Sequence, residues 1–199
     1  MAPRKPLPPA PANVLRSAVL SDCERYRYQL AREWDDNGKT AVFVMLNPST
    51  ADAMTDDATT RRCIDFAQKW GCSDLLIVNL YAWRATHPAD LWRADDPVGP
   101  ENDLYLQAAA AIAKDTGGPI VAAWGAQARP DRIAAVLEVP GMDDLSALAL
   151  TQSGQPHHPL RLPATLTPKP WIPPGTPVFP VTTRHIEPTA LITEHTPVW

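Results

Sequence analysis

Val42-Phe43-Val44-Met45-Leu46 is an unbroken apolar run that drives straight into Asn47-Pro48-Ser49-Thr50-Ala51-Asp52. An apolar run this short, rich in branched residues and without polar alternation, is the pattern of a strand buried on both faces. Such strands belong to parallel sheets covered by helices. The spacing predicts a strand from Thr40 to Leu46 and a second from Asp74 to Leu80, the latter carrying Asn79 at its end. A third is expected from Pro119 to Trp124, just before Gly125, and a fourth from Ser146 to Thr151, running into Gly154-Gln155-Pro156-His157-His158-Pro159-Leu160. Between them lie three helical stretches. In Ala58 to Trp70 the residues Ile64, Phe66, Ala67 and Trp70 gather near one face. Asp103 to Lys114 has Asn102 as its expected cap. The third starts at Pro130, whose ring suits a first helical turn, and ends near Leu137. Alternating strands and helices predict an α/β fold: a doubly wound three-layer sandwich with a central parallel sheet of about four strands.

The ends of the chain read differently. Val14 to Leu20 and Arg25 to Ala31 flank Ser21-Asp22-Cys23-Glu24, and Tyr26-Arg27-Tyr28-Gln29-Leu30 alternates, so an antiparallel hairpin is expected at the domain edge. Of the 23 prolines, many crowd the two termini, where they favour extended backbone without donors. The expected organisation is a proline-rich tail over 1–12, one α/β domain over 13–170 and a proline-rich C-terminal extension over 171–199. No apolar run reaches the ~20 residues that span a bilayer, and Met1 to Pro11 lacks the apolar core of a secretory signal, which points to the cytoplasm. Cys23, Cys63 and Cys72 are too few and too scattered for a disulfide framework or a zinc site. A net charge of −4 argues against a broad nucleic-acid surface, although local distribution can override the sum.

In a parallel sheet, sites gather beyond the carboxyl ends of the strands. Asn47, Asn79, Gly125 and the His157-His158-Pro159 loop all fall on that edge by connectivity alone. Asn47 offers an amide that accepts from water or donates to a ligand, Asn79 an amide able to read a donor–acceptor pair, and His158 a donor for an oxygen that gains negative charge. Plainer readings stand beside these. Asn47-Pro48 is also a common turn pair, Asn79 can serve buried backbone groups, and adjacent histidines before proline often sit on an exposed loop. Thr50, Asp52 and Asp56 can equally cap the helix that follows. No nucleophile elbow, P-loop or dinucleotide fingerprint is present.

Leu46-Asn47-Pro48-Ser49, the strand Leu75 to Asn79, and Val121-Ala122-Ala123-Trp124-Gly125 followed by His158-Pro159-Leu160 resemble the uracil-DNA glycosylase superfamily, in its mismatch-type branch. A fuller resemblance is to the family called domain of unknown function 1643. It is carried by Leu46 to Asp52, Arg61-Arg62-Cys63, Asn79-Leu80-Tyr81-Ala82, Asp96 to Asp103, Ala123-Trp124-Gly125 and His158-Pro159-Leu160. The first resemblance implies a DNA glycosylase-like protein that binds uracil, thymine or a 5-substituted pyrimidine and hydrolyses its N-glycosidic bond. Asn47 would activate water, with Asp52 or Asp56 nearby as its substitute or helper, and His158 would stabilise the departing base anion. Asn79, Ser49 and Trp83 would bind the base. Ser49 stands where the uracil-specific branch has a bulky tyrosine, which implies tolerance of a C5 substituent. Leu160 would be the wedge that fills the gap left by a flipped base, with Arg161, Arg84 and Arg61 against DNA. The expected partner is DNA or a pyrimidine nucleotide, with no metal, cofactor or membrane, and the chain is expected to be a monomer. Two alternatives remain open: a hydrolase or transferase acting on free or modified nucleotides, and a non-catalytic base- or DNA-binding module.

Overall fold

The computed structural model describes residues 14–49 and 54–175, in which seven strands and four α-helices build a mixed α/β domain. The strands are β1 (Leu15–Leu20), β2 (Arg27–Glu33), β3 (Lys39–Met45), β4 (Cys72–Asn79), β5 (Ile120–Ala122), β6 (Ser146–Ala147) and β7 (Lys169–Pro170). The helices are α1 (Ala58–Lys69), α2 (Pro88–Leu91), α3 (Asn102–Thr116) and α4 (Pro130–Leu137). All seven strands form one sheet in the order β1-β2-β4-β3-β5-β6-β7. β4, β3, β5 and β6 run parallel, while β1, β2 and β7 pair antiparallel.

The sheet is wider and more mixed than the sequence pattern predicts. The expected hairpin is present, but it is no separate appendage. β2 pairs with β4, matching Leu30 to Ile77 and Glu33 to Asp74, because the second edge of β2 carries backbone donors and acceptors that need partners. The expected fourth strand shrinks to Ser146–Ala147, and β7 completes that side.

Strand alternation divides the core between two faces. Val42, Val44, Leu76, Val78 and Ala122 pack on one side against Leu106, Ala109, Ala110 and Ala113 of α3 and Ile133 and Val136 of α4. Ala41, Phe43, Leu75, Ile77 and Val121 pack on the other against Cys63, Ile64, Phe66 and Ala67 of α1. The alanines of α3 bring it close to the sheet, and the chain returning from it packs tightly. A Cβ built on Gly118 would stand 1.9 Å from the Thr40 carbonyl oxygen.

The helix caps differ in detail from expectation. Asp57, not Asp56, caps α1 by accepting from the Thr60 amide at 2.7 Å. Asp56 instead binds the buried Arg32 at 2.6 Å and Arg16 at 3.4 Å. Asn102 lies inside α3, fully buried, and its Nδ2 donates to the Asn79 and Leu80 carbonyls at 3.0 and 3.1 Å. Arg132 of α4 donates to the Leu80 carbonyl at 2.7 Å and pairs with Asp103. These bonds take up carbonyls at the point where β4 leaves the ladder, so they fix the strand end on which Asn79 sits. The segment preceding α3 is built for the same purpose. Asp96 Oδ1 accepts from the Val98 and Gly99 amides, and Gly99 holds φ at 87° against the Tyr26 ring.

Candidate functional site

Period-2 alternation decides which side chains reach the carboxyl edge on the α1 side of the sheet. Phe43 and Met45 of β3 face α1, and so do Leu75 and Ile77 of β4. Two residues further along each strand, the same face carries Asn47 and Asn79. Met45 and Asn79 are aligned partners in the parallel ladder, so Asn47 follows two residues beyond the position opposite Asn79, on the same face. The loop after β6 returns to this edge through a hydrogen bond from the Gly125 amide to the Pro156 carbonyl at 2.9 Å. Gly125 turns there with φ at 77°. Arg62 of α1 donates to the Leu162 carbonyl and fastens the His158 loop to the helix. The result is a cavity of about 220 Å³ whose walls include Asn47, Asn79, His158, Ser49, Thr60 and Arg27.

The three residues expected to carry chemistry therefore share one cavity, and their bonding separates their capacities. Asn47 is committed as a donor: its Nδ2 gives one bond to the Pro48 carbonyl at 3.0 Å and one to the Ala85 carbonyl at 2.9 Å. Both amide hydrogens are used, so only Oδ1 is left to accept from a water or ligand. The loop-fastening reading of Asn47 and the water-holding reading thus apply to different atoms of one side chain. Asn79 is 2% exposed, and no described residue bonds its side-chain amide, which leaves both donor and acceptor available in the cavity. His158 Nδ1 accepts from the Leu160 amide at 3.4 Å, which assigns the ring proton to Nε2. Burial pushes the His158 pKa down, so the ring is a neutral N–H donor at neutral pH.

Arg27 was not among the residues expected here. Its position between Tyr26 and Tyr28 in an alternating run marks it as the polar face of an edge hairpin. The structure buries all three: β2 is an interior strand, the Tyr26 and Tyr28 rings stack on each other, Tyr28 stacks on Tyr105, and Trp83 meets Tyr26 edge-on. The only sequence signal for Arg27 is its flanking pair of tyrosines.

The other expected residues are spread more widely. Ser49 lines the cavity. Trp83 stands away from it, edge-on to Tyr26 at 5.4 Å, with the Arg25 guanidinium 5.8 Å from its ring centre. Arg84 donates to the Glu24 carbonyl at 2.9 Å. Arg61 is exposed on α1. Leu160 is half-buried and Arg161 exposed in a short 3-10 turn, Pro159–Arg161, just beyond His158. Asp52, with Thr50, lies outside the described residues. Among the described residues no group of three His, Cys, Asp or Glu side chains is placed to hold a metal ion, and no helix is long and apolar enough to cross a membrane.

An α/β domain with a polar cavity at the carboxyl edge of its parallel strands is the class that fold and site define. Residues 27–160 match the family model described as "Protein of unknown function (DUF1643)", and the chain belongs to that family. The matched segment runs from Arg27 to Leu160 and so spans the whole cavity. No curated protein and no solved structure matches the chain.

Proposed function

We propose that this chain is a glycosylase-like hydrolase that takes a pyrimidine base, in DNA or in a nucleotide, into the cavity between α1 and the sheet. The observation that supports it most is the convergence of Asn47, Asn79 and His158 on one cavity. The space measures about 220 Å³. It is smaller than the ~300 Å³ where drug-sized pockets begin, which suits one ring. Asn79 reads the base edge with a donor and an acceptor. Asn47 Oδ1 accepts from the attacking water. His158 Nε2–H donates to the base oxygen on which negative charge develops as the glycosidic bond breaks. Water adds to the sugar carbon and its proton ends on the released base. This reading treats β4, β3, β5 and β6 as the doubly wound core shared with the uracil-DNA glycosylase superfamily, with β1, β2 and β7 as additions.

The test uses oligonucleotides, single- and double-stranded, carrying uracil, a thymine mismatch or 5-hydroxymethyluracil, and scores abasic product. One well-placed donor to a developing oxyanion contributes on the order of 3 kcal/mol. His158→Ala should therefore slow product formation by about a hundredfold, and Asn79→Ala should abolish discrimination among bases. If no probe yields abasic product, the hydrolytic reading fails. Binding without product would make the chain a base-binding module. The second reading, an enzyme acting on free or modified nucleotides, is favoured by Arg27, whose cation lies in the same cavity.

A further inference from the structure

Arg27 is 8% exposed, and its guanidinium has no hydrogen bond or ion pair among the described residues; its Nε is sealed from solvent. The other buried arginines are all engaged. Arg32 binds Asp56 at 2.6 Å and the Ala31 carbonyl at 2.7 Å. Arg132 binds Asp103 and the Leu80 carbonyl. A buried charge is ordinarily paired, so Arg27 is the exception, and it opens on the cavity. Burial and the nearby positive charge of Arg84 lower its pKa to about 10, which leaves it charged at neutral pH.

The surroundings favour the same sign of ligand. α1 runs twelve residues, and its first turn opens on the cavity through Thr59 and Thr60. A helix N-terminus presents unpaired amides and the positive end of the dipole. Among the described residues the one carboxylate on this wall, Asp57, is exposed at its rim and engaged by the Thr60 amide at 2.7 Å. A planar guanidinium is shaped for two-pronged binding of a carboxylate or phosphate.

We infer that the ligand of this cavity is an anion-bearing pyrimidine, its ring set by Asn79 and His158 and its phosphate or ring carboxylate held by the Arg27 guanidinium. The ring half of this statement rests on the base-pocket reading above; the anion half stands on Arg27.

Calorimetric titration of matched pairs tests it. Uridine 5′-monophosphate is compared with uridine, and 5-carboxyuracil with uracil, with inorganic phosphate as a ring-free control. The proteins are wild type, Arg27→Gln and Arg27→Lys. The anionic member of one pair should bind the wild type about ten- to a hundredfold more tightly than its neutral partner, the range of hydrogen bonds to a charged group. Arg27→Gln should bring the pair to parity, and Arg27→Lys should keep part of the preference. The pair that responds tells a phosphate from a base carboxylate. Equal binding within both pairs by the wild type overturns the inference, as does a preference that survives Arg27→Gln. Should Arg27→Gln fail to fold, the wild-type pairs and Arg27→Lys still decide. Anion preference without cleavage of any oligonucleotide removes hydrolysis and keeps the anion site. Cleavage without anion preference does the reverse.

Discussion

Replacing Arg27 by methionine should make the empty protein more stable. The fall of the Arg27 pKa to about 10, caused first by burial and then by the positive charge of Arg84, corresponds to a cost of about 3 kcal/mol at 1.36 kcal/mol per pH unit. Methionine keeps most of the apolar stem and removes the charge, at the loss of a weak attraction to Asp57. The net gain is about 1–3 kcal/mol, the range found when buried charges give way to apolar side chains. For a chain of this length 1 kcal/mol moves Tm by about 3 °C, so a rise of about 3–9 °C is expected. The sign with pH follows from linkage. A cation whose folded pKa is lowered weakens the fold wherever it is charged, and that penalty is relieved only as pH climbs through about 10 toward the unfolded value. The gain should therefore be constant across neutral pH. The assay is a thermal melt of both proteins by circular dichroism, without added anions and then with phosphate or the best ligand from the titrations. Phosphate should raise the wild-type Tm and leave the variant unmoved, and the best anionic ligand should raise the wild-type Tm more than the variant's. If Arg27→Met melts below wild type without ligand, Arg27 is a structural cation and the reasoning fails.

Two further outcomes follow from other parts of the fold. Burial lowers the His158 pKa below the ordinary histidine value of about 6.5, so the unfolded chain takes up a proton first as pH falls. Stability should decline as pH drops below about 6.5 and level off under the folded pKa, and His158→Gln should flatten that slope; urea unfolding at pH 7 and at pH 5 measures it, and parallel slopes in the two proteins would contradict the assignment. Gly118→Ala would place a Cβ 1.9 Å from the Thr40 carbonyl oxygen, a backbone clash that no rotamer relieves. It should cost about 2 kcal/mol or more, read as a fall in the urea midpoint, and an unchanged midpoint would show that the α3–β5 connection yields.

The sequence makes the parallel heart of the molecule legible because strands buried on both faces leave unbroken apolar runs. Thr40 to Leu46 and Asp74 to Leu80 stand close to β3 and β4 for that reason. Alternation then carries Asn47 and Asn79 to one face without any knowledge of the tertiary fold. The strands at the two flanks are harder to place. A hairpin pattern shows that β1 and β2 pair with each other, but the pairing of β2 with β4 is made by backbone groups that leave no trace in side-chain identity. Arg27 was missed through the same gap, since an arginine on an alternating strand reads as solvent-facing until the second neighbour of that strand is known. Asn102 misleads for a different reason. Asparagine at a helix start suggests a cap, whereas here the side chain turns inward to the carbonyls of Asn79 and Leu80.

The two-residue strand β7 has a consequence for the molecule among its neighbours. Trp171 turns its amide inward, to the Leu145 carbonyl at 2.8 Å, and Lys169 pairs with Ala147. Backbone groups alternate along a strand, so the outward position belongs to Pro170, which has no N–H to offer. A second chain arriving at this border would find a lone carbonyl and the charge of Lys169, with no ladder to extend. Proline and lysine are two of the devices by which sheets resist edge-to-edge aggregation. The open side of β6 is thereby covered by a strand too short to offer a ladder of its own.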